Sequence, residues 1–348
     1  MHKTITALAD GRQLRYYDAA PGTVRNAADR RALAPGVTAS QLRFEPFLGS
    51  WVIYASHRQD RTFLPAAEDC PLCPSRDGRL TEIPEADYEV VVFDNRFPAL
   101  GATTGGRCEV ICYTAEHDGS FAGLSPERAG LILAALIDRT AELSALPGVE
   151  QVFCFENRGR EIGVTQPHPH GQIYAYPFIT PRTAAVLASA RAYQGRTGRS
   201  LFDDVLAAEQ ADGSRVILAT GRWTAFVPRA ARWPYEVHLY PNRRVPDLAS
   251  LDPAELAELG GVLLDVLGRF ARLFDEPAPY VAAWHQAPVR AGREELALHL
   301  EVFTPRRAGD RLKYLAGSES GMDAFTSDVL PEAAATRLRA AAGQASKS

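Results

Sequence analysis

The chain has 348 residues, of which 46% are hydrophobic and 23% are charged, a composition typical of a folded globular protein. The formal net charge of -4 gives no electrostatic basis for nucleic acid as a bulk partner, and no run of 18 apolar residues predicts a membrane span. The N-terminus shows no secretory signal pattern, and the five cysteines include Cys70-Pro-Leu-Cys73. These features favour metal-binding or free thiols over disulfides and predict a reducing cytoplasm.

The predicted elements begin after an N-terminal arm. Residues 1–41 are polar with weak periodicity, so we expect a peripheral and partly mobile arm, with regular structure starting near Leu42. Ser125-Pro126 predicts a helix start, with Ser as the cap and Pro in the first turn, and the helix should end near Pro147. Strands are predicted from β-branched and aromatic content at 50–56, 87–94, 108–114, 149–156 and 171–176.

The same order of elements returns later in the chain. Glu236-Val-His-Leu-Tyr240 repeats Glu109-Val-Ile-Cys-Tyr113, and Leu251-Asp-Pro253 repeats Leu124-Ser-Pro126, all at an offset of 127 residues. A second amphipathic helix follows, at about 252–274. A constant offset over a strand, a loop and a helix indicates an internal duplication, although chance similarity of two amphipathic segments is the alternative.

The duplication predicts the fold class. We expect an α+β protein with two similar halves, at 42–180 and 181–345, each an antiparallel sheet with a helix across one face. The halves differ in chemistry, because the final strand of the first carries His168-Pro-His170-Gly-Gln172 while the corresponding place in the second carries Leu298-His299-Leu-Glu301.

Pro167-His-Pro-His-Gly-Gln-Ile173 is the strongest chemical feature of the sequence. Two histidines at i and i+2 of an extended segment face the same side, and Gln172 should share it. The prolines disfavour helix, and Gly171 allows a close approach of ligand or backbone. A neutral imidazole can attack phosphorus, and an amide can donate to the phosphoryl oxygens. The alternative is that these histidines are only metal ligands or part of a polar loop.

This segment resembles the signature of galactose-1-phosphate uridylyltransferases, a branch of the histidine-triad superfamily. The similarity extends over residues 42 to 340. Further matching motifs are Ser56-His-Arg58-Gln-Asp-Arg61, Val92-Phe93-Asp94-Asn95, Phe155-Glu-Asn157-Arg-Gly159, Trp284-His285 and Lys313-Tyr-Leu-Ala-Gly317-Ser-Glu319.

The resemblance implies a ping-pong reaction in which His170 attacks the α-phosphorus of UDP-glucose and galactose 1-phosphate then accepts the uridylyl group. It implies that Gln172 and Thr165 hold the phosphoryl oxygens. It also implies a homodimer, because the segment that contacts the sugar phosphate reaches the other subunit in the family. The substrate-binding positions that it implies are Arg58 and Arg61 for phosphate, Phe93, Asn95 and Asn157 for the nucleotide, and Lys313, Tyr314 and Glu319 for the sugar phosphate.

The resemblance also implies a structural zinc ion. A Cys-x2-Cys pair with scattered histidines is by itself a moderate zinc signal, and ordinary thiols are the alternative. The family ligands match Cys70, Cys73, His117 and His168, so that zinc would fix His168 and through it the strand of His170. A second metal set is doubtful: His285 and His299 match family ligands, but Glu301 replaces a histidine and an earlier glutamate is absent. A hydrogen-bonded cluster is the alternative there.

Two departures concern base recognition. Arg96 stands where many relatives have Asp, and Pro71 where some have an aromatic residue against the uracil. Two other functions therefore remain open beside uridylyl transfer. One is a nucleoside-diphosphate-sugar phosphorylase that uses inorganic phosphate, and the other is a non-catalytic zinc protein that binds nucleotides.

Overall fold

The computed structural model describes residues 1–33, 39–59, 64–76 and 78–343. Among these residues, no helix combines the length and apolar character that a bilayer crossing requires. The chain forms two compact units. Unit 1 comprises Met1–Phe155, Thr165–Val186 and Ala287–Arg293, and unit 2 comprises Glu156–Val164, Leu187–Gln286 and Glu294–Ser348. The division thus falls near the predicted boundary at residue 180, with two short segments exchanged.

Unit 1 is built around an antiparallel sheet. Its elements in chain order are β1 (His2–Ala7), β2 (Gln13–Asp18), β3 (Gln41–Glu45), β4 (Ser50–Tyr54), β5 (Val90–Asp94), β6 (Arg107–Cys112), α1 (Pro126–Ser144), β7 (Gln151–Arg158), β8 (His170–Tyr176) and the start of α2 (Pro181–Thr197). The sheet order is β1-β2-β5-β6-β8-β7, while β3 and β4 form a separate hairpin. The strands of β-branched and aromatic residues predicted from the sequence are confirmed.

Helix α1 covers one face of this sheet. The Ser125 hydroxyl accepts a hydrogen bond from the Arg128 backbone N–H at 3.2 Å, and Pro126 occupies the first turn, so the predicted helix start is confirmed. On the covered face the buried Arg139 guanidinium binds the Glu109 carboxylate of β6 at 2.7 Å. The opposite face of the same strands is therefore the one left for the site.

The first residues are part of the sheet. β2 pairs with β5, and Leu14 and Tyr16 are buried in the hydrophobic cluster of unit 1. The expectation that regular structure starts near Leu42 is wrong. The apolar residues of β2 are too few to show a pattern against the charged residues around them, and it is pairing with β5 that stabilises the strand.

Unit 2 repeats the connectivity of unit 1. Its elements are the remainder of α2, α3 (Leu201–Asp212), β9 (Val216–Ala219), β10 (Trp223–Phe226), β11 (Tyr235–Pro241), α4 (Pro253–Ala271), β12 (Tyr280–His285), β13 (His299–Thr304), β14 (Arg306–Ala308), β15 (Arg311–Leu312), α5 (Gly317–Met322) and α6 (Pro331–Ala340). The strand order β10-β11-β13-β12 is that of β5-β6-β8-β7. All these pairs are antiparallel, which confirms the predicted α+β class.

The two main helices have matching ends. α1 spans Pro126–Ser144 and α4 spans Pro253–Ala271, so the offset of 127 residues found in the sequence holds along the whole helix. α4 begins with a capping box, in which Asp252 accepts from the Glu255 N–H at 2.8 Å and Glu255 accepts from the Asp252 N–H at 2.8 Å.

Candidate functional site

His170 is the first residue of β8, and the strand alternation puts Gln172 on the same face, opposite the face of buried Gly171 and Ile173. Across the ladder His170 lies opposite Cys112, and Gln172 lies opposite Val110 on one side and Phe155 on the other. The predicted common orientation of His170 and Gln172 therefore follows from the register of three neighbouring strands.

His168 does not belong to this strand. It lies in a bend before β8 and is only 1% exposed, so the prediction that both histidines lie on one extended segment is wrong. The two prolines around it, Pro167 and Pro169, lack the N–H groups that a ladder requires, which keeps this segment outside the sheet.

The tautomer of His170 is set by its backbone neighbour. Its Nδ1 lies 2.7 Å from the carbonyl oxygen of His168, and a carbonyl can only accept, so Nδ1 carries the proton. The lone pair is then on Nε2. Burial lowers the pKa of His170, which favours the neutral ring. Together these features leave an uncharged, oriented imidazole with a free nucleophilic nitrogen.

Gly171 has no room for a side chain. A Cβ atom at this position would lie 2.2 Å from the Tyr113 hydroxyl oxygen and 3.0 Å from the Phe155 carbonyl oxygen. Tyr113 and the neighbouring strand therefore pack directly against the backbone between His170 and Gln172. Gly171 was predicted to allow a close approach of ligand or backbone, and the groups that approach it here are the Tyr113 side chain and the backbone of Phe155.

Tyr174 contacts Gln172 and is influenced by the charge of Arg58. The Tyr174 hydroxyl donates to Gln172 Oε1 at 3.4 Å. Burial raises the pKa of Tyr174 to about 12, and the Arg58 charge opposes that rise. Arg58 Nε is buried without a hydrogen-bond partner among the described residues, so this guanidinium retains donor capacity.

The remaining predicted phosphate contacts are less defined. Thr165 lies in the loop before His168, and its carbonyl oxygen accepts from the Leu64 N–H at 2.8 Å. Its side chain is partly buried. Arg61 lies outside the described residues.

The two predicted nucleotide residues of β5 and its end differ in environment. Asn95 lines a cleft of about 480 Å³ together with Arg96 and Arg12, and its Oδ1 accepts from the Phe97 N–H at 2.8 Å. Phe93 is 2% exposed and packs in the hydrophobic cluster of unit 1. The cleft therefore presents Asn95 and Arg96, whereas Phe93 is part of the core.

The four predicted zinc ligands come together. Cys70, Cys73, His117 and His168 each offer a donor atom, and these atoms lie within 4.8 Å of one another. Cys73 Sγ is 3.4 Å from His117 Nδ1 and 3.6 Å from His168 Nδ1. Tetrahedral zinc with Zn–S about 2.3 Å and Zn–N about 2.0–2.1 Å would separate sulfur and nitrogen by about 3.6 Å. The donor set and its spacing therefore fit zinc.

The remaining predicted binding residues lie in unit 2. Asn157 is partly buried on β7. Lys313 Nζ binds Glu319 Oε1 at 2.7 Å, and this bond is the main reason that the pKa of Glu319 falls to about 2. Tyr314, next to Lys313, is 75% exposed. Lys313 and Glu319 thus form one pair on unit 2, with an unpacked aromatic ring beside it.

The residues of the second candidate metal set also lie together, on β12 and β13. His285 Nε2 lies 3.3 Å from Glu301 Oε2, and His299 Nε2 lies 3.4 Å from Glu301 Oε1. His238 lies beside them on β11. Its Nε2 is 2.8 Å from Glu236 Oε1 and 3.6 Å from Glu301 Oε1.

Two residues near the site were missed by the sequence analysis. Tyr174 follows Gln172 by two positions, so the strand alternation could have placed it on the same face. Tyr88 hydrogen-bonds His168 Nε2 at 2.8 Å, and it lies 80 positions earlier in the chain. No local pattern could have connected them.

Comparison with known proteins agrees with this geometry. The model described as "Galactose-1-phosphate uridyl transferase, N-terminal domain" matches residues 101–180, and the model for the C-terminal domain matches residues 187–347. Galactose-1-phosphate uridylyltransferase of Streptomyces lividans is 53% identical, over 97% of this chain and 98% of its own. The enzyme of that name from Thermotoga maritima is 35% identical, over 86% of this chain and 98% of its own.

Solved structures give the same fold. A structure described as a uridylyltransferase is similar with a TM-score of 0.77 and 28% identity, covering 86% of this chain and 97% of that one. An ADP-glucose phosphorylase from Arabidopsis thaliana is similar with a TM-score of 0.67 and 22% identity, covering 86% of this chain and 99% of that one. At that identity the second likeness concerns the fold.

Proposed function

The chain belongs to the galactose-1-phosphate uridylyltransferase family, and on that premise we propose that it moves a uridylyl group from UDP-glucose to galactose 1-phosphate. The observation that carries the proposal is the state of His170. Its Nδ1–H donates to the His168 carbonyl at 2.7 Å, so its Nε2 lone pair is free to attack.

The reaction takes two displacements at the α-phosphorus. In the first, His170 Nε2 forms a bond to phosphorus, the phosphorus–oxygen bond to glucose 1-phosphate breaks, and that sugar phosphate leaves. In the second, a phosphate oxygen of galactose 1-phosphate attacks the same phosphorus. The phosphorus–nitrogen bond breaks, UDP-galactose leaves, and His170 is restored as a neutral ring.

Hydrogen-bond donors stabilise the charge that develops on the phosphoryl oxygens. Gln172 shares the face of His170 and can supply its amide N–H, while Thr165 can supply its hydroxyl. Arg58, with a buried Nε that has no partner among the described residues, suits the anionic diphosphate. Arg61 is proposed for the same role from family resemblance.

The nucleotide and sugar subsites are proposed from resemblance and supported in part by geometry. Asn95 lines the cleft of about 480 Å³, which supports a role in holding uridine. Phe93, which is buried in the hydrophobic cluster of unit 1, would act through packing, and Asn157 would contact the nucleotide.

The sugar phosphate would be held by Lys313, Tyr314 and Glu319. Lys313 is bonded to Glu319, so its ammonium is already oriented, and the exposed ring of Tyr314 is available to a partner surface. We propose that this segment completes the site of a second subunit, so that the working enzyme is a homodimer. The five free cysteines suit a reducing cytoplasm as its location.

Zinc would be held by Cys70, Cys73, His117 and His168, whose spacing fits it. Bound there, it supplies structural cross-linking of the Cys-x2-Cys loop to the segment before β8. His168 then presents its carbonyl oxygen to His170 in a fixed place.

The second set, His285, His299 and Glu301, is proposed to hold a cation. His299 Nδ1 is 2.9 Å from the Ala297 carbonyl oxygen and therefore carries the proton. Its Nε2 lone pair then faces a carboxylate oxygen at 3.4 Å, a contact that requires a metal ion or a second proton between them. Metal analysis of the unchanged protein and of Glu301→Gln distinguishes a metal ion from a proton. If a metal ion is bound, the metal content falls in the variant; if a proton is shared, the metal content is the same in both proteins.

Incubation with α-32P-labelled UDP-glucose tests the covalent chemistry. We expect an acid-labile label on the enzyme that is absent in His170→Ala and is discharged by galactose 1-phosphate. Turnover without any labelled enzyme would contradict the proposal. Nucleotide binding with neither label nor turnover would also contradict it and would indicate a non-catalytic protein.

The phosphorylase alternative is tested in the same experiment. Inorganic phosphate in place of galactose 1-phosphate should leave the label on the enzyme, and discharge by phosphate alone would favour a phosphorylase. ADP-glucose run beside UDP-glucose tests base preference, where Arg96 departs from many relatives.

A further inference from the structure

Tyr88 connects the two parts of the zinc-ligand cluster. It lies just before β5, is 2% exposed, and packs in the hydrophobic cluster of unit 1. Its hydroxyl lies 3.0 Å from the carbonyl oxygen of Leu72, which is between Cys70 and Cys73, and 2.8 Å from His168 Nε2. One side chain therefore touches both the Cys-x2-Cys loop and a histidine ligand.

The directions of these hydrogen bonds can be assigned. The Leu72 carbonyl only accepts, so the Tyr88 hydroxyl donates to it. His168 Nε2 is also 2.8 Å from the Thr114 carbonyl, which again only accepts, so Nε2 carries the proton. The Tyr88 oxygen accepts a share of that proton. His168 Nδ1 is thereby left with a lone pair, on the side that faces Cys73 Sγ at 3.6 Å.

His168 also contacts the proposed nucleophile, through its backbone carbonyl. The carbonyl oxygen of His168 accepts from His170 Nδ1 at 2.7 Å, so the placement of His168 determines the direction of His170 Nε2. His168 is held on its Nδ1 side by the ligand cluster and on its Nε2 side by Tyr88 and Thr114.

We propose that Tyr88 is a positioning residue. Together with the Thr114 carbonyl it holds His168 in the tautomer that can bind zinc; it also fixes the Cys-x2-Cys loop against His168 and, through the His168 carbonyl, orients His170. Outer hydrogen-bond partners of this kind typically change metal affinity by 10–100-fold. The kinetic part of this inference rests on the proposed function, whereas the metal-binding part does not.

Tyr88→Phe is the test, because it removes the hydroxyl and keeps the ring in the core. Competition with a chromophoric chelator should show about 10–100-fold weaker zinc binding. With zinc saturating, kcat should fall and KM for UDP-glucose should stay unchanged. Tyr16→Phe is the matched control: Tyr16 is buried in the same cluster, and its hydroxyl makes no hydrogen bond to a described residue. It should change neither quantity.

Two outcomes overturn the inference. Zinc binding within twofold of the unchanged protein would show that Tyr88 only fills space. Weaker zinc binding with an unchanged kcat at saturating zinc would show that Tyr88 does not orient His170.

A measurement on the unchanged protein tests the inference even if the variant does not fold or the proposed activity is absent. Nitrogen-15 NMR of labelled histidines in the zinc-loaded protein should find the proton on His168 Nε2 and on His170 Nδ1. A proton on His168 Nδ1, or zinc on its Nε2, would reject the inference whatever the activity is.

Discussion

β8 of unit 1 and β13 of unit 2 begin in the same way and end in different chemistry. Each starts with a histidine whose Nδ1 donates to a carbonyl two residues earlier, at 2.7 Å for His170 and 2.9 Å for His299. The next residue on the same face is Gln172 in β8 and Glu301 in β13. An amide can donate to a phosphoryl oxygen, whereas the carboxylate of Glu301 faces His299 Nε2 at 3.4 Å.

The two units therefore share a backbone arrangement and differ in the side chains that it carries. Strand order, helix and histidine tautomer are common to both, whereas the residue that follows the histidine on the same face is an amide in one and a carboxylate in the other. The fold supports either outcome, and the chemistry depends on the residues placed on it. Four predictions test the comparison.

The largest effect is expected from His170→Ala. Uridylyl transfer should fall by roughly four orders of magnitude or more, as is usual when the covalent nucleophile is removed. His299→Ala is the control on the equivalent strand and should keep transfer within about tenfold. Rates and mass spectra of the quenched enzyme measure both. Similar losses in the two variants would show that the units share the chemistry.

Cys73→Ala should abolish zinc binding and destabilise unit 1. With one ligand gone, the free energy that zinc binding gives to folding is lost, and we expect a decrease of several kcal/mol. Metal analysis and urea unfolding measure it. Cys154→Ala is the control: it removes the thiol of a buried cysteine outside the cluster and should keep the zinc content. An active, stable, metal-free Cys73→Ala protein would contradict the zinc assignment.

Exchange of the two same-face residues should have a smaller effect on rate. Gln172→Glu places a carboxylate where phosphoryl oxygens need a donor, and kcat should fall by about 10²–10³-fold. The reciprocal Glu301→Gln should leave kcat nearly unchanged. Steady-state kinetics of both variants decide this, and a strong kcat loss in Glu301→Gln would give unit 2 a catalytic part.

Two buried carboxylates give the smallest and most pH-dependent contrast. Glu109 in unit 1 binds Arg139, whereas Glu156, in unit 2, accepts from the Tyr280 hydroxyl at 2.9 Å. Burial raises the pKa of Glu156 from 4.5 to about 7. Between pH 4.5 and about 7 the folded state therefore keeps a proton on Glu156 that the unfolded state has lost. The contribution of Glu156 to the free energy of unfolding is fully present below pH 4.5 and is lost as the pH rises through about 7.

The expected decrease is about 3 kcal/mol, and Glu156→Gln should remove it. Urea unfolding of both proteins between pH 5 and pH 8 gives the slope of the free energy of unfolding against pH for each. Equal slopes would show that Glu156 does not carry the pH dependence.

The sequence was sufficient where its patterns are local. The helix start at Ser125 and the strands of β-branched residues depend on neighbouring residues, and the structure confirms them. The constant offset between the halves is visible because each copy keeps such local patterns. The four predicted zinc ligands were found through family resemblance, and their donor atoms lie within 4.8 Å of one another.

The sequence was insufficient where long-range packing decides. The strand β2 forms because β5 is its neighbour, and Tyr88 reaches His168 only after the sheet is folded. His168 leaves the strand because of its prolines. The burial of Phe93 in the hydrophobic cluster could not be predicted before the faces of the sheet were known.

The two N-terminal strands determine how far the protein can be shortened. Lys3 binds Asp138 of α1 at 2.6 Å, and β2 covers the backbone edge of β5. A truncated version beginning at residue 19 would expose the N–H and C=O groups of an apolar strand, which is a template for pairing between molecules. Shortened versions made for crystallisation should therefore keep these residues, since their removal would produce aggregates rather than a smaller folded protein.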